Sequence, residues 1–133
     1  MDDKTLMQLA ESVRKTAYAP YSNFKVGCAL LTKSGKVYTG INIENASFSP
    51  TNCAERTAFF KAISEGEREF KAIAICGGKR ESADEICAPC GVCRQVMAEF
   101  CKGDFIVILG NVDKMQRHTL SSLLPLSFGL DKE

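Results

Sequence analysis

The amino-acid sequence predicts an α/β protein in which a mixed sheet of four or five strands lies between helices. An amphipathic helical pattern opens the chain, and two apolar runs joined by a short turn then predict an antiparallel hairpin. Further along, strand-like and helix-like segments alternate, which predicts parallel strands connected by helices. The length of 133 residues fits one domain, and we expect residues 1–133 to fold as a unit.

The first half of the chain predicts a helix followed by the hairpin. Apolar side chains recur at helical spacing at Leu6, Leu9, Ala10 and Val13. This helix is expected to end near Tyr18, because Pro20 disfavours helical geometry in the residue before it. The apolar runs at 24–32 and 37–44, joined by a turn at 33–36, predict the two hairpin strands.

The second half alternates between helices and strands. The predicted elements, in order, are a helix at 53–65, a strand at 72–76, a helix from about 89 to 101, a strand at 105–109 and a short helix at 119–124. Gly66 and Pro125 mark the ends of the first and last of these helices, because both residues disfavour helix continuation.

Charge and hydropathy exclude two classes of partner. The 17 basic and 16 acidic residues give a formal net charge of +1, and no run of lysine and arginine is long enough to grip a phosphate backbone. No stretch approaches about 18 consecutive apolar residues, the length of a membrane span, and the acidic start does not resemble a secretory leader. We therefore expect a cytoplasmic protein that binds neither nucleic acid nor membrane.

Seven cysteines in a reducing compartment indicate metal ligands or catalytic groups rather than disulfides. Cys90 and Cys93 are three residues apart, so on a helix they share one face. Cys53 opens the neighbouring predicted helix, and its sulfur meets the other two if the helices start side by side. Three protein ligands leave the fourth tetrahedral position of Zn²⁺ open, which is typical of a catalytic site.

Glu55 and Arg56 follow Cys53 within three residues. Glu55 lies close to the metal without having to ligate it, so its carboxylate can take a proton from water and pass it to a substrate. A cysteine ligand followed two residues later by glutamate matches the pattern of zinc deaminases. Three thiolates and one Zn²⁺ leave an excess negative charge, which two helix N-termini and hydrogen bonds from Arg56 would offset.

Cys87 leaves two other metal sites open. With Cys90 and Cys93 it forms the C-x2-C-x2-C spacing of iron–sulfur ferredoxins, and with Cys53 added it would give a closed zinc site of four thiolates. Pro89 argues against both sites, because it is expected to begin the helix and so to leave Cys87 in the preceding loop. The three other cysteines lie in apolar stretches and are predicted to be core residues: Cys28, Cys76 and Cys101.

Several longer motifs surround these residues. They are residues 19–22 (Ala-Pro-Tyr-Ser) with Phe24, 40–46 (Gly-Ile-Asn-Ile-Glu-Asn-Ala), 53–58 (Cys-Ala-Glu-Arg-Thr-Ala), 89–96 (Pro-Cys-Gly-Val-Cys-Arg-Gln-Val), and 123–125 (Leu-Leu-Pro) with Phe128. With these motifs the chain resembles the small homotetrameric zinc-dependent cytidine deaminases over nearly its whole length. The resemblance implies a three-layer α/β/α sandwich with a mixed five-stranded sheet, one zinc per subunit, and hydrolysis of the 4-amino group of cytidine and deoxycytidine.

The same resemblance implies roles for residues outside the cysteine cluster. Asn42 and Glu44 would bind the ribose, and residues two apart on a strand do point to one face. Phe24 would pack near the base. The residues that would reach across a subunit interface into a neighbouring pocket are Ala46, Phe48 and Phe128. The sequence departs from the family pattern at Phe48, where tyrosine is common, and at Ala88, where serine is usual.

Three other functions fit parts of the sequence. A deaminase of a related aminopyrimidine nucleoside, such as an antibiotic, would use the same metal site. A deaminase of polynucleotides would also use it, although the sequence offers no basic surface. A non-catalytic zinc or iron–sulfur module could be built on Cys87, Cys90 and Cys93.

Overall fold

The computed structural model describes residues 1–79, 81 and 85–132, and within them five strands form one sheet flanked by helices. The strands are β1 (Lys25–Thr32), β2 (Val37–Ile41), β3 (Phe70–Gly78), β4 (Ile106–Asn111) and β5 (Lys114–Thr119). The helices are α1 (Asp3–Arg14), α2 (Ala54–Ser64), α3 (Gly91–Phe100) and α4 (Leu120–Leu123). Across the described residues, no helix is both long enough and apolar enough to cross a membrane.

The sheet mixes parallel and antiparallel pairs in the order β2-β1-β3-β4-β5. β1 runs antiparallel to both β2 and β3, so the predicted hairpin is present. β3 and β4 pair in parallel across α3, and β5 runs antiparallel to β4. The predicted α/β class with a mixed five-stranded sheet is therefore confirmed.

Helices cover both faces of this sheet and give three layers. Successive side chains of a strand point to opposite faces, so Cys28 and Ala29 of β1 belong to different core clusters. Ala29 faces α1, whereas Cys28 faces α2. The cluster beneath α2 is centred on Phe59, whose ring centroid lies 5.0 Å from that of Phe70 and 6.0 Å from that of Phe105. The layer that holds α2 and α3 also carries the cysteine cluster.

β5 was not among the strands predicted from the sequence. None of its six residues, Lys-Met-Gln-Arg-His-Thr, is buried, and they lack the alternation of apolar and polar side chains that marks a half-buried strand. The strand pairs with β4 along its whole length and forms one edge of the sheet. Backbone pairing with β4 and the packing of Met115 against the core hold it in place.

Several predicted boundaries differ from the structure: β3 and β4, for example, run beyond the predicted ranges of 72–76 and 105–109. Three further differences lie near the cysteine cluster or the segment that follows β2. α1 ends at Arg14 rather than near Tyr18, because Tyr18 adopts an extended conformation and pairs with Ile43. β2 ends at Ile41 rather than at residue 44, because Ile43 pairs with Tyr18 and Asn52 instead of continuing along β1. α3 begins at Gly91 with Cys90 as its N-cap, so the preceding proline lies outside the helix.

Two glycines allow helices to approach β1 and β2 closely. A Cβ atom added at Gly27 would lie 2.3 Å from the carbonyl oxygen of Ala10 in α1. A Cβ atom added at Gly40 would lie 2.3 Å from the carbonyl oxygen of Ala54, the first residue of α2. Any side chain at either position would push its helix away from the sheet. At Gly40 the displaced residue follows Cys53 directly.

We predict that Gly40→Ala and Gly27→Ala each lower the free energy of unfolding by roughly 1–3 kcal/mol, the usual cost of overpacking. Chemical denaturation measures this loss. Only Gly40→Ala should also weaken zinc binding per folded chain, because Gly27 contacts the helix on the opposite face. Equal zinc affinities for the two folded variants would contradict a role for Gly40 in placing Cys53.

Candidate active site and metal centre

Three cysteine sulfurs converge where α2 and α3 begin. Cys53 is the N-cap of α2, Cys90 is the N-cap of α3, and Cys93 lies in the first turn of α3. The Sγ atoms of Cys53 and Cys90 are 3.7 Å apart, and those of Cys90 and Cys93 are 3.5 Å apart. All three sulfurs lie within 4.8 Å of one another, which is close enough to hold one metal ion.

The local structure leaves these sulfurs free to bind a metal. Neither N-cap cysteine uses its side chain to cap its helix by a hydrogen bond. The Nε atom of Arg94 donates to the carbonyl oxygen of Pro89 at 2.7 Å and ties down the residue before Cys90. Because Cys53 and Cys90 are the N-caps of α2 and α3, two helix N-termini lie at the sulfurs, and their partial positive charge favours thiolates.

The pKa values of the Cys53 and Cys93 thiols move in opposite directions. Hydrogen bonds from Cys93, Arg56 and Cys90 lower the pKa of Cys53 to about 5 despite its partial burial. The pKa of Cys93 is instead raised, because Cys53 beside it and burial both disfavour a second negative charge. Three thiolates at this spacing need a positive ion between them, and Zn²⁺ is the ion that three sulfur ligands favour.

Arg56 lies beside the sulfurs and is partly unpaired. Its Nη2 atom donates to the Cys53 sulfur at 3.3 Å. Its Nε atom is buried and finds no hydrogen-bond acceptor among the described residues. A guanidinium so placed stabilises negative charge on the sulfurs, which is the charge that a thiolate cluster carries.

Glu55 is buried in the first turn of α2, with only 4% of its surface exposed. Burial raises the pKa of this carboxyl to about 7, and the negative charge of Cys53 adds to the increase. The residue is not part of the three-sulfur group. Its carboxyl therefore lies in the first turn of α2, next to Cys53, and outside the group of candidate ligands.

The other cysteines stay outside the cluster. Cys87 is half-buried, and burial raises the pKa of its thiol to about 12. Among the described residues, the group suited to a metal contains three cysteines and does not include Cys87. Cys28 and Cys76 are fully buried in the core, and Cys101 packs against it, as the sequence predicts.

Asn42 and Glu44 both point toward residues 21–26, although β2 has ended before them. The Asn42 side chain accepts from the Val26 amide at 2.9 Å and donates to the Phe24 carbonyl at 2.8 Å. Each polar atom of Asn42 keeps one further hydrogen-bonding position. The Glu44 carboxylate is bound by residues 21 and 22, and hydrogen bonds from Ser22 hold its pKa below the usual range.

An open cavity of about 380 Å³ borders Glu44, and we call it the Glu44 cavity. It is lined by Tyr21, Ser22, Glu44, Asn45, Phe48 and Thr51. Of the residues assigned from the resemblance, the lining includes Glu44 and Phe48. Phe24 packs against the core instead, as a partly buried side chain.

Two of the remaining assigned residues lie apart from this cavity. Ala46 is exposed in the loop after β2. Phe128 is 69% exposed, and its carbonyl oxygen accepts from Gln95 of α3 at 3.1 Å. Sequence reasoning missed the contacts of Tyr21 and Ser22 with Glu44, because only their membership of the motif at 19–22 singled them out.

Comparison with known proteins identifies the family. Residues 1–109 match the model of the cytidine and deoxycytidylate deaminase zinc-binding region. The chain is 52% identical over 129 residues to cytidine deaminase of Halalkalibacterium halodurans, covering 96% of this chain and 95% of that protein. It is 48% identical over 129 residues to cytidine deaminase of Sporosarcina psychrophila, covering 96% of this chain and 92% of that protein.

A solved structure agrees with the sequence matches. The crystal structure of cytidine deaminase from Burkholderia pseudomallei superposes with a TM-score of 0.88 at 47% identity, covering 96% of this chain and all (100%) of that one. The matching family region is a zinc-binding one, and the three sulfurs of this chain form the cluster that could hold the ion. The chain therefore belongs to the cytidine and deoxycytidylate deaminase family of zinc enzymes.

Proposed function

We propose that this protein hydrolyses the 4-amino group of free cytidine and 2'-deoxycytidine and releases uridine or 2'-deoxyuridine with ammonia. One observation carries the proposal: a buried glutamate follows Cys53 by two residues and lies beside three converging sulfurs. Zinc deaminases use a cysteine-rich metal site with a glutamate that is not a ligand to move protons. The relatives that bear the name cytidine deaminase support the nucleoside as substrate.

Cys53, Cys90 and Cys93 would hold one Zn²⁺ per subunit. When bound, zinc acts as a Lewis acid that makes water a better nucleophile near neutral pH. Glu55 accepts a proton from the attacking water and delivers it to N3 of the pyrimidine, which makes C4 more electrophilic. A second proton, from the hydroxyl newly attached to C4, passes through Glu55 to the amine as the bond between C4 and nitrogen breaks, which leaves a carbonyl at C4 and releases ammonia. Arg56 stabilises the thiolate charge through its contact with Cys53.

The nucleoside would bind across two parts of the site. Glu44 accepts a hydrogen bond from a sugar hydroxyl, and Asn42 keeps one donor and one acceptor position for the same sugar. Phe24 borders the base, because its ring lies on the sheet face that also carries α2 and its glutamate. The sugar assignment favours an ordinary nucleoside over a polynucleotide, since no run of basic residues accompanies it.

We further propose that the active form is a homotetramer in which neighbouring chains complete each pocket. Phe48 is 83% exposed and Phe128 is 69% exposed, and large apolar side chains so exposed favour burial in an assembly. Ala46 lies in the same loop as Phe48 and would approach the same interface. The Glu44 cavity is open to solvent, which agrees with a pocket that another chain closes.

The enzyme would act in the cytoplasm, in the salvage of pyrimidine nucleosides. Three thiol ligands must stay reduced to bind zinc, and the cytoplasm keeps thiols reduced. All seven cysteines are free in the structure, in line with that compartment.

We predict that the purified protein converts cytidine to uridine, measured by the change in ultraviolet absorption, and contains one zinc per chain by metal analysis. Glu55→Gln should keep the zinc and lose turnover by about 10²–10⁴-fold, because the proton carrier is gone. Glu65→Gln, at the exposed end of the same helix, serves as the matched control and should behave as the unmodified protein.

Other results of that assay would redirect the assignment. Turnover of an aminopyrimidine antibiotic but not of cytidine would move the substrate to that class. Deamination of single-stranded DNA or RNA would contradict the restriction to free nucleosides. A brown protein that contains iron, or a zinc protein without turnover, would contradict the enzyme assignment.

Arg56→Ala is expected to lower kcat by about 10–100-fold while most of the zinc is retained, because the residue tunes the ligands rather than binding the ion. Arg117→Ala is the matched control, since this arginine is exposed on β5 and pairs with Asp3 at 3.3 Å. Zinc content and kcat are measured on the same preparations. Loss of zinc in proportion to activity would refute the tuning role.

We predict that Phe128→Glu gives a smaller particle by light scattering and lowers specific activity at least about tenfold, because a charge replaces an apolar contact between chains. Dilution of the unmodified protein should lower specific activity in the same way. Lys114→Glu, an exposed change on β5, should alter neither quantity. A monomer with full activity would defeat the claim that neighbouring chains complete the pocket.

A further inference from the structure

Residues 19–22 are part of the motifs, and the proposed mechanism gives none of them a role. Ser22 nevertheless donates two hydrogen bonds to Glu44, the residue proposed to bind the sugar. Its hydroxyl donates to Oε2 of Glu44, and its backbone amide donates to Oε1 of Glu44 at 3.1 Å. The Tyr21 amide also donates to Oε1, at 3.0 Å.

These three donors leave little freedom to the Glu44 carboxylate. An ionised carboxylate has about four positions that can accept a hydrogen bond. Two donors occupy Oε1 and one occupies Oε2. The remaining position lies on Oε2, the oxygen that the Ser22 hydroxyl holds. The Ser22 side chain therefore fixes the direction of the one acceptor position on Glu44 Oε2 that remains free.

The Ser22 hydroxyl also contacts the backbone of Phe24, the aromatic residue proposed to border the base. Ser22 Oγ accepts from the Phe24 amide at 3.0 Å, across Asn23, which has a positive φ of 58°. A serine hydroxyl has one donor and two acceptor positions, so it can serve Glu44 and Phe24 at once. Ser22 also lines the Glu44 cavity, where a sugar hydroxyl would arrive.

We propose that Ser22 is a positioning residue for substrate recognition, which orients Glu44 toward a hydroxyl of the sugar, with the Phe24 amide holding the Ser22 hydroxyl in place for that contact. This inference rests on the proposed cytidine deaminase activity. It assigns Ser22 to binding rather than to the chemical step, since no metal ligand and no part of Glu55 contacts it among the described hydrogen bonds. Cytidine and 2'-deoxycytidine both carry a 3'-hydroxyl, so we assign Glu44 to that hydroxyl.

The test compares cytidine with 3'-deoxycytidine, which lacks that hydroxyl. Ser22→Ala should raise KM for cytidine by about tenfold and leave kcat within about twofold, because one hydrogen bond to a charged group is lost. For 3'-deoxycytidine the same change should leave kcat/KM within about twofold. Ser22→Thr keeps the hydroxyl and should restore KM, whereas Ser22→Cys keeps the shape with a weak donor and should resemble alanine.

Two controls separate positioning from a general structural effect. Ser64→Ala removes an exposed hydroxyl that donates only to the Lys61 carbonyl, and it should change neither constant. In a Glu44→Ala background, Ser22→Ala should add no further loss on cytidine. Zinc content should be unchanged in every Ser22 variant.

The outcomes that overturn the inference are distinct from those that overturn the function. If the unmodified protein deaminates cytidine and Ser22→Ala lowers kcat/KM equally for both substrates, Ser22 does not act through the sugar hydroxyl. Failure of Ser22→Thr to restore KM, or additive losses with Glu44→Ala, would contradict the role as well. If the unmodified protein does not deaminate cytidine, the proposed function fails, and the role of Ser22 fails with it.

Discussion

The contact between the start of α2 and strand β2 is the constraint on which the rest of the site depends. Gly40 lets the Ala54 carbonyl approach the strand, and the buried Cys28 thiol donates to the same carbonyl at 3.1 Å. Ala54 separates Cys53 from Glu55, so one fixed residue sets both the first sulfur and the buried carboxyl. α3 then has only to begin beside α2 for the other two sulfurs to complete the cluster.

The chemistry of the site could be predicted because it is encoded in short spacings. Cys90 and Cys93 share the start of one helix, and Glu55 follows Cys53 within one turn, so local geometry alone brings each pair together. The two pairs meet because α2 and α3 begin side by side. The mixed sheet could also be predicted, since the hairpin and the strand–helix alternation are periodic. β5 escaped prediction because an exposed edge strand has no buried face and leaves no apolar pattern.

The sugar side of the site was predictable only in part. Asn42 and Glu44 were assigned as neighbours on a strand, but the strand ends before them and they lie in an irregular segment. Their positions depend on hydrogen bonds between side chains and the backbone of residues 21–26, many residues away in sequence. Such contacts follow no periodicity, so no pattern in the sequence indicates that Ser22 and Glu44 meet.

The charge of the thiolate cluster and the protonation of Glu55 depend on each other. Three thiolates with one Zn²⁺ carry a formal charge of −1, and the guanidinium of Arg56, in contact with Cys53, carries +1. A net negative cluster raises the pKa of a buried carboxyl beside it, which disfavours the ionised form that accepts a proton from water. In the proposed mechanism, Arg56 and two helix N-termini offset the thiolates, and Glu55 is the group whose charge changes during turnover. The contact of Arg56 with Cys53 would then favour the proton-accepting form of Glu55 as well as metal binding.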